Sequence, residues 1–270
     1  MKKYIYIAVA GILALSACSK IDDTQNAPRQ MAFTAGYNEG ATTRATMDFS
    51  TKKVSFDAND EISILSANNT NTKFTTSAGG ASATFSGTAT DDSKFYAVYP
   101  YTAGLALSGD VISGIVIPTS QWNAKWGDSS DNSGWDPKAP IAYATTTGSS
   151  LQFHNLCAIL KIKEESDNVT MTISADQDLA GTFSLDTSTG TLTATAGSKI
   201  VTIGGSIMRY LHGDDLYIAI APGDYTNFKV SVEESMPIIP SMPWKEEKTK
   251  ASVTFEAGKI YDLGTFSVHP

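Results

Sequence analysis

The chain has 270 residues, 28 of them acidic and 20 basic, and its formal net charge is −8 at pH 7. This acidic balance argues against nucleic acid and anionic membrane surfaces as partners, since both repel negative charge. With 41% hydrophobic residues, the chain is long enough for one large domain or two ordinary ones.

The N-terminus is typical of a secretory signal peptide. Two lysines precede an apolar run over residues 5–15, which is too short to span a bilayer. Cys18 follows directly on Leu-Ser-Ala, which resembles the lipobox of bacterial lipoproteins and implies that Cys18 carries the lipid. We therefore predict a signal peptide over 1–17, a lipidated tether over 18–29, and an exported protein held at the outer membrane and exposed at the cell surface. The alternative is a signal peptide followed by an ordinary cysteine.

Short runs of β-branched and aromatic residues follow, separated by clusters of Gly, Asn, Asp, Ser and Thr. Period-2 alternation within these runs predicts strands, and helical periodicity is nearly absent. The predicted strands, by their apolar positions, are Met31 to Tyr37, Val54 to Phe56, Ile62 to Ile64, Phe95 to Tyr99, Val111 to Ile117, Leu151 to Phe153, Cys157 to Ile162, Val169 to Ile173, Ile200 to Ile203, Leu216 to Ala221, Phe228 to Val232, Val253 to Phe255 and Ile260 to Val268.

So many strands exceed what one modest sandwich needs, and they favour an all-β chain with two tandem β-sandwich domains. We place these domains at 30–148 and 149–270, with the division in a Gly- and Ser-rich segment. Cys157 lies in an apolar run, where a thiol usually behaves as a small buried hydrophobic group. We therefore expect the cores to form without disulfides.

The first predicted strand, residues 30–37, has one apolar face. Its members are Met31, Phe33, Ala35 and Tyr37. A Gly- and Thr-rich connector follows, and proteolysis concentrates in such segments. A cut between Arg44 and Ala45 would separate this strand from the body and leave a groove that a strand of another subunit could fill. The alternative is a permanent first strand beside an ordinary solvated arginine.

A long polar segment over 119–139 contains three tryptophans, Trp122, Trp126 and Trp135. Exposed aromatic rings of this kind could form a platform for sugar rings or another adhesive contact. The alternative is that the three rings pack over the first domain as a local hydrophobic cluster.

The same segment has oxygen-bearing side chains that could surround a calcium ion. They are Asp128, Asp131, Asn132 and Asp136. Carboxylate and amide oxygens suit calcium, but the spacing is not that of an EF-hand, and Asp/Asn/Gly loops also form ordinary turns.

Catalytic patterns are missing from the sequence. The three histidines, His154, His212 and His269, are far apart and lack metal-binding spacing. We therefore predict no catalytic residue, no cofactor and no enzymatic activity.

Several segments together resemble the fimbrillin-like family, the subunits of type V pili and their relatives. Besides the lipobox they are Thr42 to Ala45, Asn59 to Ile64, Phe95 to Tyr101, Leu151 to Asn155, Ile218 to Gly223 and Phe255 to Tyr261. The resemblance implies two tandem transthyretin-like Greek-key sandwiches, export as a lipoprotein, and assembly by strand exchange after an arginine-specific protease cuts behind Arg44.

The predicted function is structural: a surface lipoprotein that joins an adhesive fimbria by strand exchange with other pilin subunits. Its last strand, 259–268, ends close to Pro270 and is expected to complete its own domain, which favours a tip or accessory subunit. From a different class, the alternative is a monomeric surface protein that binds glycans through its tryptophan segment. A host protein or glycan is a further candidate partner.

Overall fold

The computed structural model describes residues 27–37, 46–48, 53–121, 139, 141–165, 169–203, 214–234 and 244–268. Within these ranges every regular element is a strand, so the predicted all-β fold is confirmed for them. No helix in the described ranges has the length and apolar character needed to cross a membrane. The predicted signal peptide and Cys18 lie outside the described residues.

The described residues form twenty-one strands. In chain order they are β1 (Arg29–Tyr37), β2 (Thr46–Asp48), β3 (Lys53–Ser55), β4 (Glu61–Ser66), β5 (Asn69–Thr76), β6 (Ser82–Ala89), β7 (Phe95–Tyr99), β8 (Ala106–Ser108), β9 (Val111–Ile117), β10 (Ser120–Gln121), β11 (Ala142–Thr146), β12 (Ser150–Asn155), β13 (Ala158–Glu164), β14 (Val169–Ser174), β15 (Ala180–Asp186), β16 (Thr191–Ser198), β17 (Ile200–Ile203), β18 (Asp214–Ile220), β19 (Gly223–Glu234), β20 (Lys245–Phe255) and β21 (Ile260–Phe266).

Seven strands form a sheet that closes on itself, which we call the closed sheet. Its order is β1-β12-β11-β7-β4-β5-β6, and β6 pairs back onto β1. Alternate residues point inward along each strand, because successive side chains in a strand face opposite sides. The inward positions hold aromatic rings that fill the interior. These are Phe33, Phe74, Phe85, Phe95 and Phe153, and Phe56, which follows β3, is buried in the same core.

A second core lies among three further sheets. Their orders are β10-β17-β14-β19-β20, β18-β13-β21 and β16-β15-β9-β8. The two cores meet at β7, which is buried on both faces. Phe95, Ala97 and Tyr99 belong to the core of the closed sheet, whereas Tyr96 and Val98 belong to the second core. A continuous apolar run is typical of a strand covered on both sides.

Strand pairing crosses the division that we predicted at residues 148 and 149. β12 follows that point in the chain yet lies in the closed sheet, whereas β9 precedes it and pairs with β15. β9 pairs with β15 because its residues Ile112, Ile115 and Ile117 all face the second core. The two-domain Greek-key layout stays a prediction.

Cys157 is fully buried, and its Sγ lies 3.7 Å from the carbonyl oxygen of Ala139, to which it donates. Burial raises the pKa of the Cys157 thiol to about 12. A thiol in this environment stays protonated and contributes mainly by packing.

Tyr225 connects the start of β19 to the turn that precedes it. Its hydroxyl donates to the carbonyl oxygen of Ala221 over 2.5 Å, inside the second core. We expect Tyr225→Phe to lower the free energy of unfolding by about 1–2 kcal/mol, because a buried carbonyl loses its donor. Urea denaturation measures this loss. Tyr261→Phe is the matched control, since that hydroxyl bonds an exposed backbone amide of Glu256, and it should change the free energy by less than about 0.5 kcal/mol. Equal losses in both variants would contradict the prediction.

Candidate functional site

The candidate site is the space between β6 and β12, which β1 fills and which we call the β1 groove. β1 runs antiparallel to β6 over eight residue pairs, from Arg29 opposite Ala89 to Gly36 opposite Ser82. On its other side, β1 runs parallel to β12 over four pairs, which begin at Thr34. β1 is therefore the strand that closes the sheet, and it is paired more extensively with β6 than with β12.

The apolar face of β1 points into the core of the closed sheet. Phe33 and Ala35 are 1% and 0% exposed, and Met31 is half-buried. The Phe33 ring lies 5.5 Å from the Phe74 ring and 5.2 Å from the Phe95 ring, measured between centroids. Phe33 is therefore the main side chain that anchors β1, because burial of a phenylalanine contributes about 1.5–3 kcal/mol.

Tyr37 is the last residue of the apolar face, and its ring packs against other rings while its hydroxyl is enclosed. Its ring stacks on Phe56 with 5.2 Å between centroids and lies 5.7 Å from the ring of Phe153. Although Tyr37 is half-buried as a residue, its hydroxyl oxygen is enclosed and has no hydrogen-bond partner among the described residues. Burial raises the pKa of Tyr37 well above its usual value, and the nearby Tyr99 and Asp60 raise this pKa further.

The outer face of β1 is polar and solvated. Gln30, Ala32 and Thr34 are exposed. At the start of the strand, the Arg29 guanidinium lies 2.6 Å from an Asp91 carboxylate oxygen, with 62% and 51% of the side chains exposed. Exposed ion pairs contribute little to stability, so the inward face supplies most of what holds β1.

The structure brings all four residues of the predicted exchangeable strand to the same face. Those residues are Met31, Phe33, Ala35 and Tyr37. The other predicted site residues lie outside the described residues. These are Cys18, Arg44, Ala45, Trp122, Trp126, Asp128, Asp131, Asn132, Trp135 and Asp136. Their roles stay predictions.

Sequence reasoning missed β6, which contributes half of the groove. Its inward positions carry Ala83, Phe85 and Ala89, so that a period-2 pattern is present but rests largely on small residues. Gly87 continues this pattern, because a Cβ there would lie 2.7 Å from the Phe74 ring. A search for alternating Ala, Gly and Phe would have found the strand.

No family model and no curated protein matches this sequence. Solved structures do resemble it. A candidate cell adhesion protein from Bacteroides uniformis aligns with a TM-score of 0.51 and 17% identity, over 88% of this chain and 93% of its own. A candidate cell adhesion protein from Bacteroides ovatus aligns with a TM-score of 0.52 and 16% identity, over 89% and 93%. A fimbrial protein from Bacteroides ovatus aligns with a TM-score of only 0.41, too low to support a conclusion.

The first two alignments span nearly the whole of both chains, so this chain shares their fold. The resemblance predicted from the sequence is thereby confirmed at the level of fold. At 16–17% identity, a likeness in fold leaves the activity and partners of this chain to be argued from its own residues.

Proposed function

We propose that this protein is a non-enzymatic adhesion protein of the cell surface, a fimbrillin-like subunit that joins a pilus by strand exchange as a tip or accessory component. It is exported as a lipoprotein and held at the outer membrane through Cys18. An arginine-specific protease then cuts between Arg44 and Ala45. The cell adhesion names of the two Bacteroides proteins that share the fold support the surface role.

The observation that carries the proposal is the position of β1. It is the first strand of the described part of the chain, and it closes the sheet by pairing with β6 on one side and β12 on the other. A cut behind Arg44 would leave β1 bound to the body by non-covalent contacts alone. The strand could then depart with the lipid anchor while β6 and β12 stay in place.

Departure of β1 would create a binding site for an extended segment. The backbone groups of β6 and β12 that now pair with β1 would lose their partners, and the sites of Phe33 and Ala35 would open. Unpaired strand edges bind other strands readily, with main-chain hydrogen bonds for affinity and alternate side chains for specificity. A strand of another subunit would therefore restore the closed sheet and link the two subunits.

The proposal predicts that Arg44→Ala blocks both processing and assembly. We expect the wild-type protein on cells to begin at Ala45 and to occur in polymers, and the variant to begin at the lipidated Cys18 and to stay monomeric. N-terminal sequencing and electrophoresis of surface extracts without heating measure the two properties. The physical reason is that an uncut connector keeps β1 at high effective concentration beside its own groove.

Two controls sharpen this test. Arg44→Lys keeps the positive charge but removes the recognition site of an arginine-specific protease, so it should behave like the alanine variant. Arg209→Ala removes an arginine elsewhere and should leave processing and assembly unchanged. Polymers formed by Arg44→Ala at the wild-type level would refute strand exchange at this position.

A further inference from the structure

Gly36 is a weak point of β1. Glycine within a strand is disfavoured, because it loses more backbone freedom on folding than other residues and has no side chain to pack. Here no close approach requires it: a Cβ at Gly36 would meet the Gln152 side chain at 3.8 Å and the Ala81 carbonyl oxygen at 3.9 Å, which are ordinary contact distances. Gly36 lies on the outer face of β1, so a larger side chain there would extend beside Gln152.

Tyr37 is a second weak point, next to the first. Its enclosed hydroxyl makes no hydrogen bond to any described residue, and a buried hydroxyl that gives up hydrogen bonds on folding without gaining others is unfavourable. The ring contacts of Tyr37 with Phe56 and Phe153 involve carbon atoms only. A phenylalanine in this position would keep these contacts and would not bury an unpartnered hydroxyl.

We propose that β1 binds its groove less tightly than the groove permits, and that the strand of another subunit that replaces it differs from β1 at these two positions. The replacing strand would have a branched side chain in place of Gly36 and an aromatic ring without a hydroxyl in place of Tyr37. This inference rests on the proposed function, and it explains how exchange can be favourable although β1 already occupies the groove.

The two fully buried inward positions define what β1 and the replacing strand share. Phe33 packs against the rings of Phe74 and Phe95, so the replacing strand needs a large apolar side chain there. Ala35 is fully buried opposite Ala83, and a larger side chain would have to displace close-packed neighbours. At the positions equivalent to residues 33–37, the replacing strand is therefore expected to carry, in order, a large apolar residue, any residue, a small residue, a branched residue and an aromatic residue.

Peptide exchange on the cut protein tests the inference. The chain has three arginines, Arg29, Arg44 and Arg209. In the mature full chain with Arg29→Lys and Arg209→Lys, an arginine-specific protease can cut behind Arg44 only. Labelled synthetic peptides spanning residues 28–38 are then added in excess, and fluorescence anisotropy measures their dissociation constants and dissociation rates.

We expect the peptide with Tyr37→Phe to bind about tenfold more tightly than the native peptide. Gly36→Val should improve binding about two- to fivefold. Thr34→Val is the matched control, because it places the same branched side chain at an exposed outward position that already has a Cβ, and it should change binding less than twofold. Phe33→Ala should weaken binding at least a hundredfold.

The possible failures are distinguishable. If the native peptide binds and Phe33→Ala abolishes binding, but Tyr37→Phe and Gly36→Val bind no more tightly than the native peptide, the inference is wrong and the proposed function stands. If the native peptide does not enter the cut protein at all, strand exchange in this groove is wrong, and the inference fails with it.

Discussion

Phe33→Ala is expected to lower the free energy that holds β1 in its groove by about 3–5 kcal/mol, the usual cost of removing a buried phenylalanine ring. Phe33 is 1% exposed and packs against Phe74 and Phe95, so its removal leaves a cavity inside the closed sheet. The expected consequence is local: β1 leaves the groove more often while the second core stays folded. Phe33 belongs to a core cluster separate from that of Ile159, which makes this partial opening possible.

Native-state hydrogen exchange measures the effect. The amides of Ala83 and Phe85 in β6 lie opposite Ala35 and Phe33, and in the variant they should exchange at least a hundredfold faster. The amide of Ile159 in β13 should exchange at the wild-type rate. Thr34→Ala is the matched control, because Thr34 is an exposed neighbour on the same strand, and its effect should be below about 0.5 kcal/mol.

Equal acceleration at Ile159 and Phe85 would contradict this prediction, since it would mean that β1 opens only when the whole chain unfolds. A subunit with that property could not release its first strand and keep a groove for another. Phe33→Ala therefore tests the energetic condition for exchange independently of any protease.

Strands with bulky β-branched or aromatic residues on one face were predictable from the sequence. The predicted bounds of β7, β9 and β17 agree with the structure to the residue. In β9, Ile112, Ile115 and Ile117 are buried. Burial of such side chains is the main force that selects a strand and its face, so the alternation itself carried the information.

The missed strands have weak patterns for a physical reason. β16 consists mostly of small and polar residues and is largely exposed, and it is held by its pairing with β15. β5 and β6 similarly rest on few large side chains. Such strands form mainly because their backbone hydrogen-bonds to a neighbouring strand. Their own side chains therefore give little indication of strand structure.

Partners of a strand were harder to predict than the strand itself. The apolar face of β1 was evident, but nothing in residues 29–37 indicates that Tyr37 lies opposite Phe153. The pairing depends on the complete set of faces that must be buried together, and it joins segments more than a hundred residues apart. For the same reason β12 enters the closed sheet from beyond the predicted domain boundary.

Gln121 leads to a second prediction with a large effect, in the second core. Its side chain is 2% exposed, its Nε2 donates to the carbonyl oxygen of Ala219 over 2.6 Å, and its Oε1 accepts from the amide of Ala219 over 3.0 Å. Nε2 also donates to the carbonyl oxygen of Pro118 over 3.1 Å. β18 is an edge strand of its sheet, so this one amide pairs with the buried edge as a neighbouring strand would.

Gln121→Met keeps the length of the side chain and removes its hydrogen bonds. We expect a loss of about 2–5 kcal/mol in the free energy of unfolding, because the buried amide and carbonyl of Ala219 both lose a partner. Guanidinium denaturation measures the loss. Gln152→Met makes the same change at an exposed position of β12 and should cost less than about 0.5 kcal/mol. A loss at Gln121 no larger than at Gln152 would contradict the role assigned to the amide.

Gln121→Glu separates hydrogen bonding from shape by means of pH. A neutral carboxyl can donate to one backbone group of Ala219 and accept from the other, whereas a carboxylate can only accept and would face two carbonyl oxygens while buried. The folded-state pKa of this glutamate should therefore lie above the value of about 4.3 for an exposed glutamate. Its stabilising contribution is then present in full below pH ~4 and is lost as the pH rises through the folded-state pKa. Relative to Gln121→Met, the glutamate variant should be more stable at pH 4 and less stable at pH 7. If the difference in unfolding free energy between the two variants does not change with pH, the carbonyl of Ala219 needs no donor.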